Sequence, residues 1–181
     1  MKETLSNLYD QCCPCETDDL LPERTALTWK IFSATRYGGS WSSMSDDFVV
    51  RVGSDSVSNP YSGDTSTSEC LPILCVKKTG ESQPSWANSI INTHYTKGGA
   101  RRDSWVQGEV AFTRPVLGRS ITSLATANSM CEEELGSGFR MGSHHDGDCP
   151  PYTGCGWGFW GSLVKSEQAG MTKRFWVHIK D

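Results

Sequence analysis

Apolar and polar residues alternate with a period of two from Thr25 onward. Leu27, Trp29 and Ile31 fall on one side of an extended chain, with Thr28, Lys30 and Phe32 on the other. That pattern predicts a strand with one face better buried. Tyr37-Gly38-Gly39-Ser40 breaks it. Phe48-Val49-Val50-Arg51-Val52 then predicts a second strand, ended by Gly53 and a Ser/Asp/Asn-rich stretch to Thr67. Leu71 to Val76 is a third apolar run, and its Pro72, which has no N–H to give a ladder, places it at an edge or a strand start rather than centrally. Trp86, Ile90, Ile91 and Tyr95 suit a short helix or a strand equally. Beyond Gly98-Gly99, a strand is expected from Ser104 to Thr113, with Trp105, Gln107, Glu109 and Ala111 on one face and Val106, Val110 and Phe112 on the other. Phe139-Arg140-Met141 opens another strand, and Phe175 to Ile179 is the last.

One segment has helical period. Ile121, Leu124, Ala125, Asn128, Cys131 and Leu135 share a face, Thr122 or Ser123 can cap the first turn, and Gly136 can take a left-handed conformation after the last. The helix therefore covers Thr122–Leu135. Ser129, Glu132, Glu133 and Glu134 form its solvent side, because neighbouring carboxylates point different ways around a helix and do not make a catalytic pair. The fold class that follows is α+β, predominantly β, with antiparallel sheets, one helix at about 122–135 and long Gly/Trp-rich loops.

The length of 181 residues suits one domain. Residues 1–24 have little hydrophobic period and read as a Cys-rich arm, leaving 25–181 as a single mostly β domain with a C-terminal portion at 116–181. The net charge of -4, from 17 basic and 21 acidic residues spread along the chain, offers no basic face for nucleic acid. No apolar run approaches the roughly 20 residues of a membrane span, and Asp18 and Asp19 stand where a signal peptide would be apolar, so neither is expected. Eight cysteines with 18 glycines and seven tryptophans point to an extracellular, cell-surface or virion setting that tolerates disulfides. The alternative is a reduced protein whose thiols pack as small hydrophobes. Cys70 and Cys75 flank a short stretch and can bridge each other. Cys131, Cys149 and Cys155 are spaced to staple the helix to the next loop, while Cys12, Cys13 and Cys15 can pair onward, carry lipid or tie subunits together.

Two stretches carry candidate chemistry. His144, His145, Asp146 and Asp148 are side chains that bind zinc or calcium, but their spacing matches neither a paired Cys-x-x-Cys frame nor His-Glu-x-x-His, and the closing Glu of an EF-hand loop is missing. A polar turn closed by Asp146-Gly147 is the favoured reading. Tyr152, Trp157, Phe159 and Trp160 lie among glycines and can form a platform for a sugar ring or a partner's apolar face, although core packing competes for at least one of Trp157 and Trp160. There is no Gly-x-Ser-x-Gly elbow and no phosphate-binding Gly-rich loop, and none of His94, His144, His145 and His178 neighbours an activated Ser or Cys. No catalytic residue is assigned, and no cofactor beyond calcium or zinc at the His/Asp run.

The order Ala125-Thr126-Ala127-Asn128-Ser129-Met130-Cys131, then Leu135-Gly136-Ser137-Gly138-Phe139-Arg140-Met141, then a Gly/Trp-rich loop and Phe175-Trp176-Val177-His178-Ile179-Lys180-Asp181 resembles C-type-lectin-like domains and their formylglycine-generating-enzyme-type relatives. The resemblance covers residues 122–181. It implies long loops on a compact α+β frame, carbohydrate or protein ligands, and frame roles for Cys131, Arg140 and Trp176. The Glu-Pro-Asn and Gln-Pro-Asp sugar motifs are absent and no cysteine follows Trp176, so no ligand residues carry over. The expected function is noncatalytic recognition or surface display through the loop after the helix. A structural or assembly protein of an extracellular or viral particle, tethered by its arm, is the first alternative. A metal-dependent hydrolase using the His144–Asp148 run is the second.

Overall fold

The computed structural model describes residues 23–37, 47–92, 104–147 and 157–179. Eleven strands are found there: β1 (Thr25–Ala26), β2 (Thr28–Arg36), β3 (Phe48–Gly53), β4 (Thr65–Ser66), β5 (Cys70–Leu71), β6 (Leu74–Lys78), β7 (Ser104–Phe112), β8 (Val116–Leu117), β9 (Arg140–Met141), β10 (Gly158–Leu163) and β11 (Phe175–Trp176). Seven form one sheet in the order β11-β2-β3-β10-β7-β6-β9, and β1-β4 and β5-β8 are small ribbons beside it. All pairings in the large sheet are antiparallel except β10 with β7. The sheet curls until its ends meet. Trp176 N donates to Pro72 O (2.8 Å), His144 N donates to His178 O (2.8 Å) and His178 N donates to Gly142 O (3.1 Å), so the β11 end is hydrogen-bonded to the β6 and β9 end.

Curling puts alternate side chains inside and outside. Leu27, Trp29, Val50, Val52, Phe159 and Phe175 belong to the inner cluster. Trp176, Cys75 and Ala111 point outward under α2 (Leu124–Leu135), and Val49, Trp105 and Trp160 point outward under a 3-10 turn (Ser85–Ala87) that runs into α1 (Asn88–Asn92). The Trp86–Ile91 stretch is therefore helical, whereas Tyr95 lies outside the described residues. Strand β7 has the two faces expected of it, with Val106, Val110 and Phe112 inside. A bulge containing Gln107, at φ 59°, spaces Trp105 from Glu109 without changing that parity. Inside, Gly161 admits no side chain, since a Cβ there would stand 2.3 Å from Val110 Cγ2.

Pro72 falls between β5 and β6, outside any ladder, as its missing N–H requires. The strand after it is nonetheless flanked on both sides, by β7 and β9. The apolar run is thus split, and only its second half is inner sheet.

Helix α2 begins where its cap predicts: Ser123 Oγ accepts from Thr126 N (3.1 Å), and Gly136 ends it at φ 100°. Its buried stripe is narrower than expected and is centred on Ala127 and Cys131. Leu124 is 44% exposed and Ala125 is also exposed, so the first turn adds no apolar burial. Asn128 Oδ1 accepts from Met141 N (2.9 Å), fastening the helix to β9. Cys131 is disulfide-bonded to Cys75 of β6, across 56 residues of sequence. This corrects the expected Cys70–Cys75 bridge and the staple from Cys131 to Cys149 or Cys155. Short sequence separation was a poor guide because the sheet, not the loop, brings the partners together. Cys12, Cys13, Cys15, Cys149 and Cys155 lie outside the described residues.

Two polar devices complete the frame. Where β10 stops, the buried side chain of Gln168 takes its place beside β7: Nε2 donates to Phe112 O (2.7 Å) and Oε1 accepts from Phe112 N (3.0 Å). Gln168→Glu removes the donor and sets a carboxylate against a carbonyl. The expected loss is about 1–3 kcal/mol in urea unfolding, because buried backbone groups lose their partner. A midpoint unchanged by this substitution would show that the amide contributes nothing.

At the other end, Arg174 ties the 54–64 loop to β2. It donates to Thr28 Oγ1 (2.6 Å), Thr28 O (2.9 Å), Ser58 Oγ (2.8 Å) and Asp55 Oδ2 (2.9 Å), and it stands 3.7 Å from Asp64. Burial pushes the Asp55 carboxyl up, but the hydrogen bond from Arg174, the Val57 and Ser58 N–H groups and the guanidinium charge outweigh it and hold the group well below the carboxylate range. A depressed folded pKa stabilises the fold above the unfolded value of about 3.9, and that contribution is lost as pH falls through it. Acid titration should therefore show stability dropping below about pH 4 in the native chain and a shallower drop in Asp55→Asn. Identical acid limbs would contradict this role.

Candidate functional site

The two stretches singled out in the sequence meet in space. The turn after β9 is built by its own polar groups: Ser143 N donates to Asp146 Oδ2 (2.7 Å) and Asp146 N donates to Ser143 O (3.1 Å). Arg140 holds the same carboxylate through both oxygens, donating from Nη1 to Oδ2 (3.0 Å) and from Nη2 to Oδ1 (2.5 Å). The turn is a hydrogen-bonded polar turn, fixed to the chain just after β11 by the His144 N to His178 O hydrogen bond. His144 is buried, with its ring between Trp29 (5.8 Å between centroids) and Trp157 (4.8 Å, 75°), and the exposed His145 stands edge-on to it (4.7 Å, 84°). The result is a run of aromatic rings from the sheet interior to the surface.

Trp157 is the outer end of that run. It is 47% exposed and has φ 95°, a conformation uncommon for any residue but glycine and more so for a bulky one. Its carbonyl holds it there by accepting from Ser54 N (2.7 Å) and Ser54 Oγ (3.2 Å). The approach is possible because residue 53 is glycine: a Cβ there would come within 2.5 Å of Trp157 O. Strain maintained by surrounding hydrogen bonds at an exposed aromatic residue is a feature of binding sites.

Phe159 and Trp160 are not part of this surface. Both rings are fully buried, one in the inner cluster and one under α1, because β10 lies between β3 and β7 with both faces covered. The platform expected of Tyr152, Trp157, Phe159 and Trp160 narrows to Trp157 within the described residues; Tyr152 lies outside them, as does Asp148. Among the described residues, no group of three or more His, Cys, Asp or Glu side chains is placed to hold a metal. Asp146 serves Arg140 and Ser143 instead.

Two exposed aromatic residues at the same end were not singled out in the sequence. Phe32 is the extra residue in a bulge of β2, and Lys30 Nζ and Arg51 lie 5.1 and 4.7 Å from its ring centroid. Tyr61 is 91% exposed at the tip of the 54–64 loop, where Asn59 Oδ1 accepts from Tyr61 N (3.0 Å) and Ser62 N (3.1 Å). The Asn-Pro-Tyr-Ser-Gly sequence at 59–63 was the available signal, as a turn with an aromatic at its crown.

Fold and site together define a mostly β α+β domain with a curled sheet and an aromatic surface at one end. Comparison with protein-family models, with curated proteins and with solved structures finds no match for the chain. No helix among the described residues is long and apolar enough to cross a membrane.

Proposed function

We propose that this chain is a noncatalytic recognition or surface-display protein that takes a carbohydrate or protein ligand on the face formed by Trp157 and the His144–Gly147 turn. The observation that carries the reading is Trp157 itself, an exposed indole held in a strained backbone conformation by Ser54 and backed by the His144 ring. A rigid aromatic in this setting stacks on a sugar ring or an apolar side chain without losing much freedom on binding. The resemblance of residues 122–181 to C-type-lectin-like domains supports the same direction, since such domains display long loops on a compact α+β frame and commonly bind carbohydrate or protein ligands. The Cys75–Cys131 disulfide supports an extracellular, cell-surface or virion setting. A structural or assembly role rests on the arm at 1–24, of which residues 1–22 and all three cysteines lie outside the described residues. A hydrolase would need Asp146 as a ligand, and Arg140 holds that carboxylate.

Screening the full chain on an array of immobilised glycans, followed by Trp157→Ala on the same array, tests the proposal. The substitution should weaken retained binding by about 30-fold, the scale of a tryptophan hot spot, with the unfolding midpoint nearly unchanged because the ring is half exposed. Equal retention by both proteins would remove Trp157 from the site.

A further inference from the structure

A short run of contacts joins the disulfide to the proposed binding face. Cys131 and Asn128 stand one turn apart on the same side of α2. They grip the two members of one cross-strand pair: Cys131 is bonded to Cys75 of β6, and Asn128 Oδ1 accepts from N of Met141, which lies opposite Cys75 in β9. Strand β9 is two residues long and ends the sheet order on that side, so among the described residues its ladder partner is β6 and α2 clamps it from outside. Arg140, the other residue of β9, donates from Nη1 to Met141 O (3.1 Å) and holds both oxygens of Asp146. Asp146 closes the turn that carries the His144 ring to Trp157. Helix, strand, turn and exposed indole are thus connected residue to residue.

We infer that the Cys75–Cys131 bond is a redox-sensitive fastener: once it is reduced, α2 releases β9, the turn held by Arg140 loosens, and the Trp157 face loses its fixed shape. The consequence for a ligand rests on the function proposed above; the loosening itself does not. The reductant is an external dithiol. One of its thiolates attacks a sulfur of the bond and forms a mixed disulfide, and its second thiol then displaces the remaining protein sulfur and leaves as a cyclic disulfide. Two electrons and two protons pass from the dithiol to Cys75 and Cys131, which end as thiols. Both cysteines are fully buried, so attack waits for α2 to lift. Lifting is local, because the helix buries a narrow stripe centred on Ala127 and Cys131 while Leu124 and Ala125 are exposed. With the thiols free, the polar tie left between α2 and β9 in the described residues is the Asn128 hydrogen bond. The face is therefore firm in oxidising surroundings and slack in reducing ones.

The test compares the full chain with and without excess dithiothreitol, by amide hydrogen exchange and by indole N–H resonances. Reduction should speed exchange at Met141, Ser143 and Asp146 by about tenfold or more and shift Trp157 together with Trp176, which lies beneath α2; β3 amides and Trp160, in a separate cluster, should stay as they are. Cys75→Ala with Cys131→Ala should show the loosened state without reductant and should not respond to it. Asn128→Ala, which leaves the bond intact, should bring part of the same change to the oxidised protein. Any glycan retained on the array should be held about tenfold more weakly after reduction, because the face is no longer preorganised. A chain that retains no glycan would refute the binding role, and exchange and resonances would still decide the fastener. Loss of all indole dispersion on reduction would make the bond a staple of the whole fold and overturn the inference. So would unchanged exchange at Met141 and Ser143, or a Trp157 response to dithiothreitol that persists in the double alanine variant.

Discussion

Replacing Cys75 and Cys131 together by alanine should lower the stability of the oxidised protein by about 4 kcal/mol, the entropy of a closed loop of this length in the unfolded chain. For a domain of this size that is a fall in the melting midpoint of roughly 10 °C. The bond joins β6 to α2 across 56 residues, and both cysteines are fully buried. The helix has only a narrow stripe of small side chains on the sheet, so its packing alone is weak and the covalent tie dominates. Amide hydrogen exchange in Leu124–Leu135 should accelerate more than in β3 or β10. Thiol labelling of the unfolded, unreduced protein that modified both Cys75 and Cys131 would show that the pair is not formed.

Arg174→Ala should cost about 3–5 kcal/mol, the scale for breaking a buried ion pair by removing one partner. Asp55 would keep Lys30 at 3.3 Å, but Asp64, whose side chain is only 2% exposed, would lose its cation. Arg174→Lys should restore only part, because an ammonium cannot make the four hydrogen bonds of the guanidinium fork. Adding Asp64→Asn to Arg174→Ala should recover part of the loss, and a double variant as unstable as the sum of the single ones would contradict the coupling. The substitution also reaches the proposed binding face. The loop that Arg174 secures begins at Ser54, which clamps Trp157, so ligand affinity should fall along with stability.

Strands β2 and β7 were legible from period-two alternation, and β3 from its β-branched run Val49-Val50-Arg51-Val52. β10 was not. Its Gly-Phe-Trp-Gly-Ser-Leu sequence reads as a glycine-rich aromatic loop, since a strand covered on both faces has no polar side to mark it. That is why Phe159 and Trp160 were grouped with Trp157 as a platform. Only Trp157, just before the strand begins, stands at the surface. The helix and its cap followed from Ser123 and Gly136, but its buried stripe did not, because Leu124 looks apolar wherever it points. Disulfide partners depend on which strand passes under the helix, and local spacing does not contain that. The polar turn at Ser143–Gly147 was legible from composition. Its contact with Trp157 was not, because that contact exists only when the sheet curls and brings β11 to β9.

The measurement that bears most directly on recognition by the Trp157 face is an indole N–H spectrum of the full chain with and without a glycan retained on the array. Among the described tryptophans, Trp29, Trp160 and Trp176 are buried and Trp157 is exposed, so their indole signals report from different places. Ligand should shift the Trp157 resonance and the ring signals of His144 and His145, and leave Trp160 and Trp176 in place. A ligand that shifts Trp86 alone, or leaves Trp157 unmoved at saturation, would contradict the assignment of function to this face.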